Sequence, residues 1–101
     1  MIQDNDALGY GQLTSLSSAV AVSTVSGGIP AGTQTVVLQP ETQNVRYRDD
    51  NTAPTSSVGM ILVANQMYEV TVAQAAQMKV IEATASAKLN ISFYGSKAVV
   101  L

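Results

Sequence analysis

Ala87-Lys88-Leu89-Asn90-Ile91-Ser92-Phe93-Tyr94 alternates without a fault. Ala87, Leu89, Ile91 and Phe93 fall on one face, and Lys88, Asn90, Ser92 and Tyr94 on the other. A period of two marks a half-buried strand, because successive side chains leave a pleated backbone on opposite sides. The pattern repeats upstream. In Thr33–Gln39, Val36 and Leu38 share a face and Val37 takes the other; Val45 and Tyr47 alternate with Arg46 and Arg48; Tyr68, Val70 and Val72 share a face. Gln12–Leu16 and Ala19–Val25 are further strand candidates, rich in Val, Thr and Ser. Val58–Val63 is apolar on both faces and reads as a central strand buried on two sides.

The breaks between these runs are equally explicit. Ser26-Gly27-Gly28-Ile29-Pro30-Ala31-Gly32 combines residues that permit positive φ with one that lacks a donor. Pro40-Glu41-Thr42 turns the chain, Asp49–Ser57 is a polar loop holding Pro54, and Ala64-Asn65-Gln66 is a tight connection. Ala85-Ser86 reads as the turn of a closing hairpin between Met78–Thr84 and Ala87–Tyr94. Ala73–Gln77 is the one helix-like stretch. About seven or eight short antiparallel strands, one roughly every ten residues, predict an all-β fold, a compact β-sandwich or small barrel.

Three segments are expected. Residues 1–11 (MIQDNDALGYG) read as an N-terminal arm, with turn formers at Asp4, Asn5 and Asp6 and glycines on both sides of Tyr10. Tyr10 would anchor that arm on a neighbouring subunit. Residues 12–97 form the β-sandwich domain. Residues 98–101 are an apolar C-terminal tail, in which Val99, Val100 and Leu101 either add an edge strand or dock on a partner by strand addition. Met60, Met67 and Met78 read as core filler.

The 101 residues suit one domain. Hydrophobic residues make up 47% and charged residues only 12%, against about 25% charged in a typical soluble chain. Such a surface is easily covered by other protein, because few charges need desolvating. Net charge is −2 with five basic residues and a pI near 4.7, which argues against nucleic acid as a partner. No apolar run approaches the ~18 residues of a membrane helix, so no membrane role is expected, and the first residues lack the features of a signal peptide.

With neither histidine nor cysteine, the chain lacks the commonest general base, the commonest metal ligand and any thiol nucleophile. No enzymatic activity, catalytic residue, cofactor or metal site is expected. Asp49-Asp50-Asn51 offers carboxylates for an ion, yet Asp and Asn at a strand end more often bond their own backbone in a turn. Arg46 and Arg48 share one face of a strand. They pair either with acids across that strand or, as a bidentate clamp, with a carboxylate of a neighbouring subunit.

From Val45 to Tyr94 the chain resembles small proteins encoded among the virion structural genes of tailed bacteriophages and prophages. The residues that carry the likeness are Tyr10–Leu16, Val45-Arg46-Tyr47-Arg48-Asp49-Asp50, Thr52-Ala53-Pro54-Thr55, Val58-Gly59-Met60, and Ile81 followed by Ala87–Tyr94. The apolar tail departs from that pattern and would mark a specialised contact. The resemblance implies a β-sandwich virion component without catalysis, assembled in the host cytoplasm and located in the virion. Its partners would be the major capsid protein or other virion proteins, and it would form a homo-oligomer. A capsid decoration or cement protein is the first expectation. A neck, tail or baseplate component is an alternative, as is a carbohydrate- or host-receptor-binding module. Sugar sites use exposed aromatics, of which this chain has few candidates: four Tyr and one Phe.

Overall fold

The computed structural model describes residues 6–95. Eight strands run in the order β1 (Asp6–Leu13), β2 (Val20–Ala21), β3 (Thr33–Glu41), β4 (Val45–Arg48), β5 (Met60–Leu62), β6 (Tyr68–Thr71), β7 (Lys79–Glu82) and β8 (Lys88–Gly95). A short 3-10 turn covers Val22–Thr24, and one helix, α1 (Val72–Ala76), joins β6 to β7. The Thr71 hydroxyl caps α1 by accepting from Gln74 N at 3.1 Å, as expected for Thr at the residue before a helix. No described helix is long and apolar enough to cross a membrane.

The strands form two antiparallel four-stranded sheets, ordered β1-β8-β3-β6 and β2-β7-β4-β5. The pairing has a simple rule: β1 pairs with β8, β2 with β7, β3 with β6 and β4 with β5. The chain is thus one long double ribbon, folded back at the β4–β5 connection and wrapped so that β3 also meets β8 and β4 meets β7. That is the topology of an eight-stranded jelly roll. The all-β sandwich expected from the strand spacing is the observed architecture.

The strand faces follow the alternation. Leu89, Ile91 and Phe93 of β8 are buried with Val36 and Leu38 of β3, Val45 of β4, Leu62 of β5 and Val80 of β7. Leu16, Val22, Val25 and Met78, from outside the strands, belong to the same core. Burying one such side chain contributes about 1.5–3 kcal/mol. A one-residue slip of β8 would replace three of them by Lys88, Asn90 and Ser92, so its register is strongly specified.

Four expectations need correction. First, residues 1–11 are not all arm: from Asp6 onward the chain is β1, paired along its length with β8. The glycines that suggested looseness serve close packing, since a Cβ on Gly11 would collide with the buried Val25 side chain. Second, Ala85-Ser86 does not close a hairpin, because β7 and β8 lie in different sheets. Ser86, at φ 76°, stands in a connection that crosses the sandwich, and its carbonyl accepts from the Thr42 hydroxyl at 2.9 Å. Third, Val58–Val63 is not a central strand: β5 is an edge of the second sheet, with Val58, Met60, Ile61 and Val63 exposed. Fourth, only Met78 fills the core; Met60 is 63% and Met67 70% exposed.

Candidate interaction surfaces

The broad outer face of the first sheet carries the residues that alternate with the core. Tyr10 and Gln12 come from β1, Asn90, Ser92 and Tyr94 from β8, and Val37, Gln39 and Glu41 from β3. Their side chains form a polar ladder across three adjacent strands. The Tyr10 hydroxyl donates to Asn90 Oδ1 at 2.6 Å, and Gln12 Nε2 donates to the same oxygen at 2.8 Å. Asn90 Nδ2 in turn donates to Glu41 Oε1 at 3.1 Å and to Gln39 Oε1 at 3.5 Å. Beside the ladder lies a shallow hollow of about 130 Å³, reached by Tyr10, Val37, Gln39, Met67 and Tyr94. A second hollow of about 290 Å³ adjoins it, sharing Val37 and Tyr94 and adding Thr35 and Glu69.

A different surface runs along one lateral edge of the sandwich. There β5 is the last strand of its sheet and β6 the last of the other. The Tyr68 hydroxyl accepts from Val63 N at 2.9 Å and so ties the two edges together. Met60 lies opposite Tyr47 on one face of β5, and Ile61 lies opposite Arg46 on the other. Both are exposed, as are Val58, Val63 and Met67. Scattered single hydrophobics on a surface are ordinary, but a cluster beside an edge strand is not.

The two strand arginines are engaged within the chain. Arg46 donates through Nε to Ser56 O at 3.0 Å and through Nη1 to Gly59 O at 2.8 Å. It therefore clips the 49–59 loop onto β4. Gly59 sits at φ 142° with little room for a Cβ between Tyr47 O and the Pro54 ring, which lets its carbonyl face the guanidinium. Arg48 forms a bidentate pair with Asp50, at 3.1 Å and 2.6 Å. That contact holds the Asp50 carboxyl below its ordinary value and raises the Arg48 guanidinium. Asp50 Oδ1 also accepts from Thr52 N at 3.3 Å, and Asp49 Oδ2 from Gln74 Nε2 at 2.9 Å. Asp50 thus braces the turn after β4, while Asp49 ties it to α1. Among the described residues no three acidic side chains gather as they would around a metal ion.

No known protein family matches the chain, and neither a curated protein nor a solved structure does.

Of the residues singled out by sequence, Tyr10 lies exposed on the sheet face, bonded within its own chain and not part of a free arm. Arg46 and Arg48 sit together on β4 but bind the loop that follows it. Val99, Val100 and Leu101 lie outside the described residues. The partners of Tyr10 in the ladder (Gln12, Gln39, Glu41 and Asn90) were not signalled as a group, because they are drawn from three strands far apart in sequence. Met60 and Ile61 could have been found: an apolar run on both faces, Val58–Val63, fits an edge covered by a neighbour as well as it fits a central strand.

Proposed function

We propose that the chain is a structural protein of a tailed-bacteriophage or prophage virion, acting as a capsid decoration or cement protein that stabilises the head by protein–protein contact, without catalysis. The observation that carries this reading is the apolar lateral edge. Val58–Val63 has the composition of a strand covered on both sides, yet a single chain buries Leu62 and leaves Val58, Met60, Ile61 and Val63 exposed. A neighbouring subunit or the major capsid protein would cover those side chains. Repetition over a shell makes modest contacts sufficient, because each bound copy raises the effective concentration for the next contact.

The virion assignment itself rests on the resemblance of residues 45–94 to small phage structural proteins. The jelly roll is in keeping with it, since this architecture builds viral capsid domains as well as lectins; a fold alone carries no function. The low charge supports close packing in an assembly. Copy number tests the proposal. Quantifying the chain against the major shell protein of purified particles should give hundreds of copies for decoration. A dozen or fewer would move it to the neck, tail or baseplate, and absence from particles would overturn the reading.

A further inference from the structure

We propose that the outer face of the first sheet binds a neutral saccharide chain lying along β3. This site is independent of the assembly reading, because it uses the broad face of β1-β8-β3-β6 and shares only Met67 with the apolar edge.

The argument starts from Tyr10. It is 64% exposed, yet its hydroxyl is fixed on Asn90 at 2.6 Å. A ring held at its far end cannot fold away, so it presents apolar area at little entropic cost, as a stacking platform for the C–H face of a sugar ring requires. Around it stand planar amides already oriented by the ladder. Asn90 is bonded on both its oxygen and its nitrogen, and through it Gln39 and Glu41 are aligned. The ladder uses both donors and both lone pairs of Asn90 itself, so the Gln39 amide and the Glu41 carboxylate that it aligns are the groups placed to meet the vicinal hydroxyls of a pyranose, and their pre-orientation removes part of the ordering cost of binding. The Tyr94 hydroxyl is held by Ser92 Oγ at 3.2 Å, and Tyr94 lines both hollows.

Charge and shape select the ligand class. Among the described residues no Lys or Arg lines either hollow, so phosphate, sulfate and nucleic acid would meet no counter-charge from them. The first hollow, about 130 Å³, is smaller than the ~300–1,000 Å³ of an enclosed small-molecule pocket. It suits one unit of a chain. The second hollow continues from it past Tyr94, following Gln39, Val37 and Thr35 along β3. Two adjoining hollows along one strand describe a track for successive units, and Glu69 in the second is a further acceptor for hydroxyls.

The test is an NMR titration of the full chain with neutral linear hexasaccharides: β-1,4-, β-1,3- and α-1,4-glucans, mannan and N-acetylglucosamine oligomers. At millimolar concentration at least one should shift the Asn90 and Gln39 side-chain amide signals and the backbone amides of β3 and β8. Tyr10→Ala should weaken that binding roughly tenfold or more, while Ile61→Lys on the edge should leave it unchanged. If Tyr10→Ala does not fold, Gln39→Ala provides the same comparison. No response from any of these sugars, shifts confined to another surface, or binding indifferent to both substitutions would overturn the proposal. Loss of self-association in Tyr10→Ala without any sugar response would assign the face to protein contact instead.

Discussion

Tyr10 and Asn90 stand 80 positions apart and share a 2.6 Å hydrogen bond across the β1–β8 seam. The bond lies on the solvent face, whereas Leu8 and Leu13 of the same strand pack against the core from the other side. β1 therefore closes one side of the first sheet and supplies Tyr10, one of two tyrosines on its outer face with Tyr94 of β8. An edge strand eight residues long would expose a regular row of main-chain groups; the register shift between Ala7 and Gly9 interrupts that row.

Gly11→Ala tests the integration of β1. The added methyl would be directed into the buried Val25 side chain. Overpacking of this kind costs about 1–3 kcal/mol, or very roughly 4–8 °C in Tm for each kcal/mol in a domain of this size. Thermal and urea unfolding should both show the loss. A variant as stable as the parent would mean that β1 is loosely held.

Arg46→Ala should destabilise the 49–59 loop. Hydrogen bonds to a charged group contribute about 1.5–3 kcal/mol, and partial exposure of this one favours the low end. Amide exchange at Ser56–Gly59 should accelerate more than exchange in β3 or β8. Arg46→Lys should recover only part of the protection, since an ammonium cannot serve two carbonyls with a planar fork. Exchange unchanged in the loop would show that Arg46 is free for an outside partner.

The Arg48–Asp50 pair predicts a pH effect of definite sign. The folded-state pKa of Asp50 is depressed, chiefly by its hydrogen bonds from Arg48. Its contribution to stability is therefore present above the unfolded value, about 4, and is lost as pH falls through the lower folded value. The Asp50 carboxyl carbon, followed by NMR, should titrate below the ordinary range, and Arg48→Ala should return it there. An ordinary midpoint in the parent would mean that the ion pair is not maintained in solution.

Met60→Lys and Ile61→Lys place charge on the two faces of β5. Neither side chain is buried in the single chain, so the stability change should stay within about 0.5 kcal/mol. Self-association, or binding to particles, should fall sharply because each lysine would have to be desolvated at the contact. Sedimentation velocity and co-sedimentation with particles measure this. A large loss of Tm with unchanged association would place these residues in the fold and not in an interface.

The faces of β3, β4 and β8 were legible in the sequence. Leu89, Ile91 and Phe93 point inward, as do Val36 and Leu38, and the helical turn forms between β6 and β7. Side-chain alternation is a property of the pleated backbone itself, so a local stretch carries it whatever its neighbours are. Which strand stands beside which is not local information. Only the tertiary structure decided that the stretch around Tyr10 is a strand, that β7 and β8 part into different sheets, and that Val58–Val63 lies at an edge. An apolar run records that both its faces favour cover. Whether the cover comes from the chain's own second sheet or from another molecule depends on how the double ribbon wraps, and that is set by contacts between residues tens of positions apart.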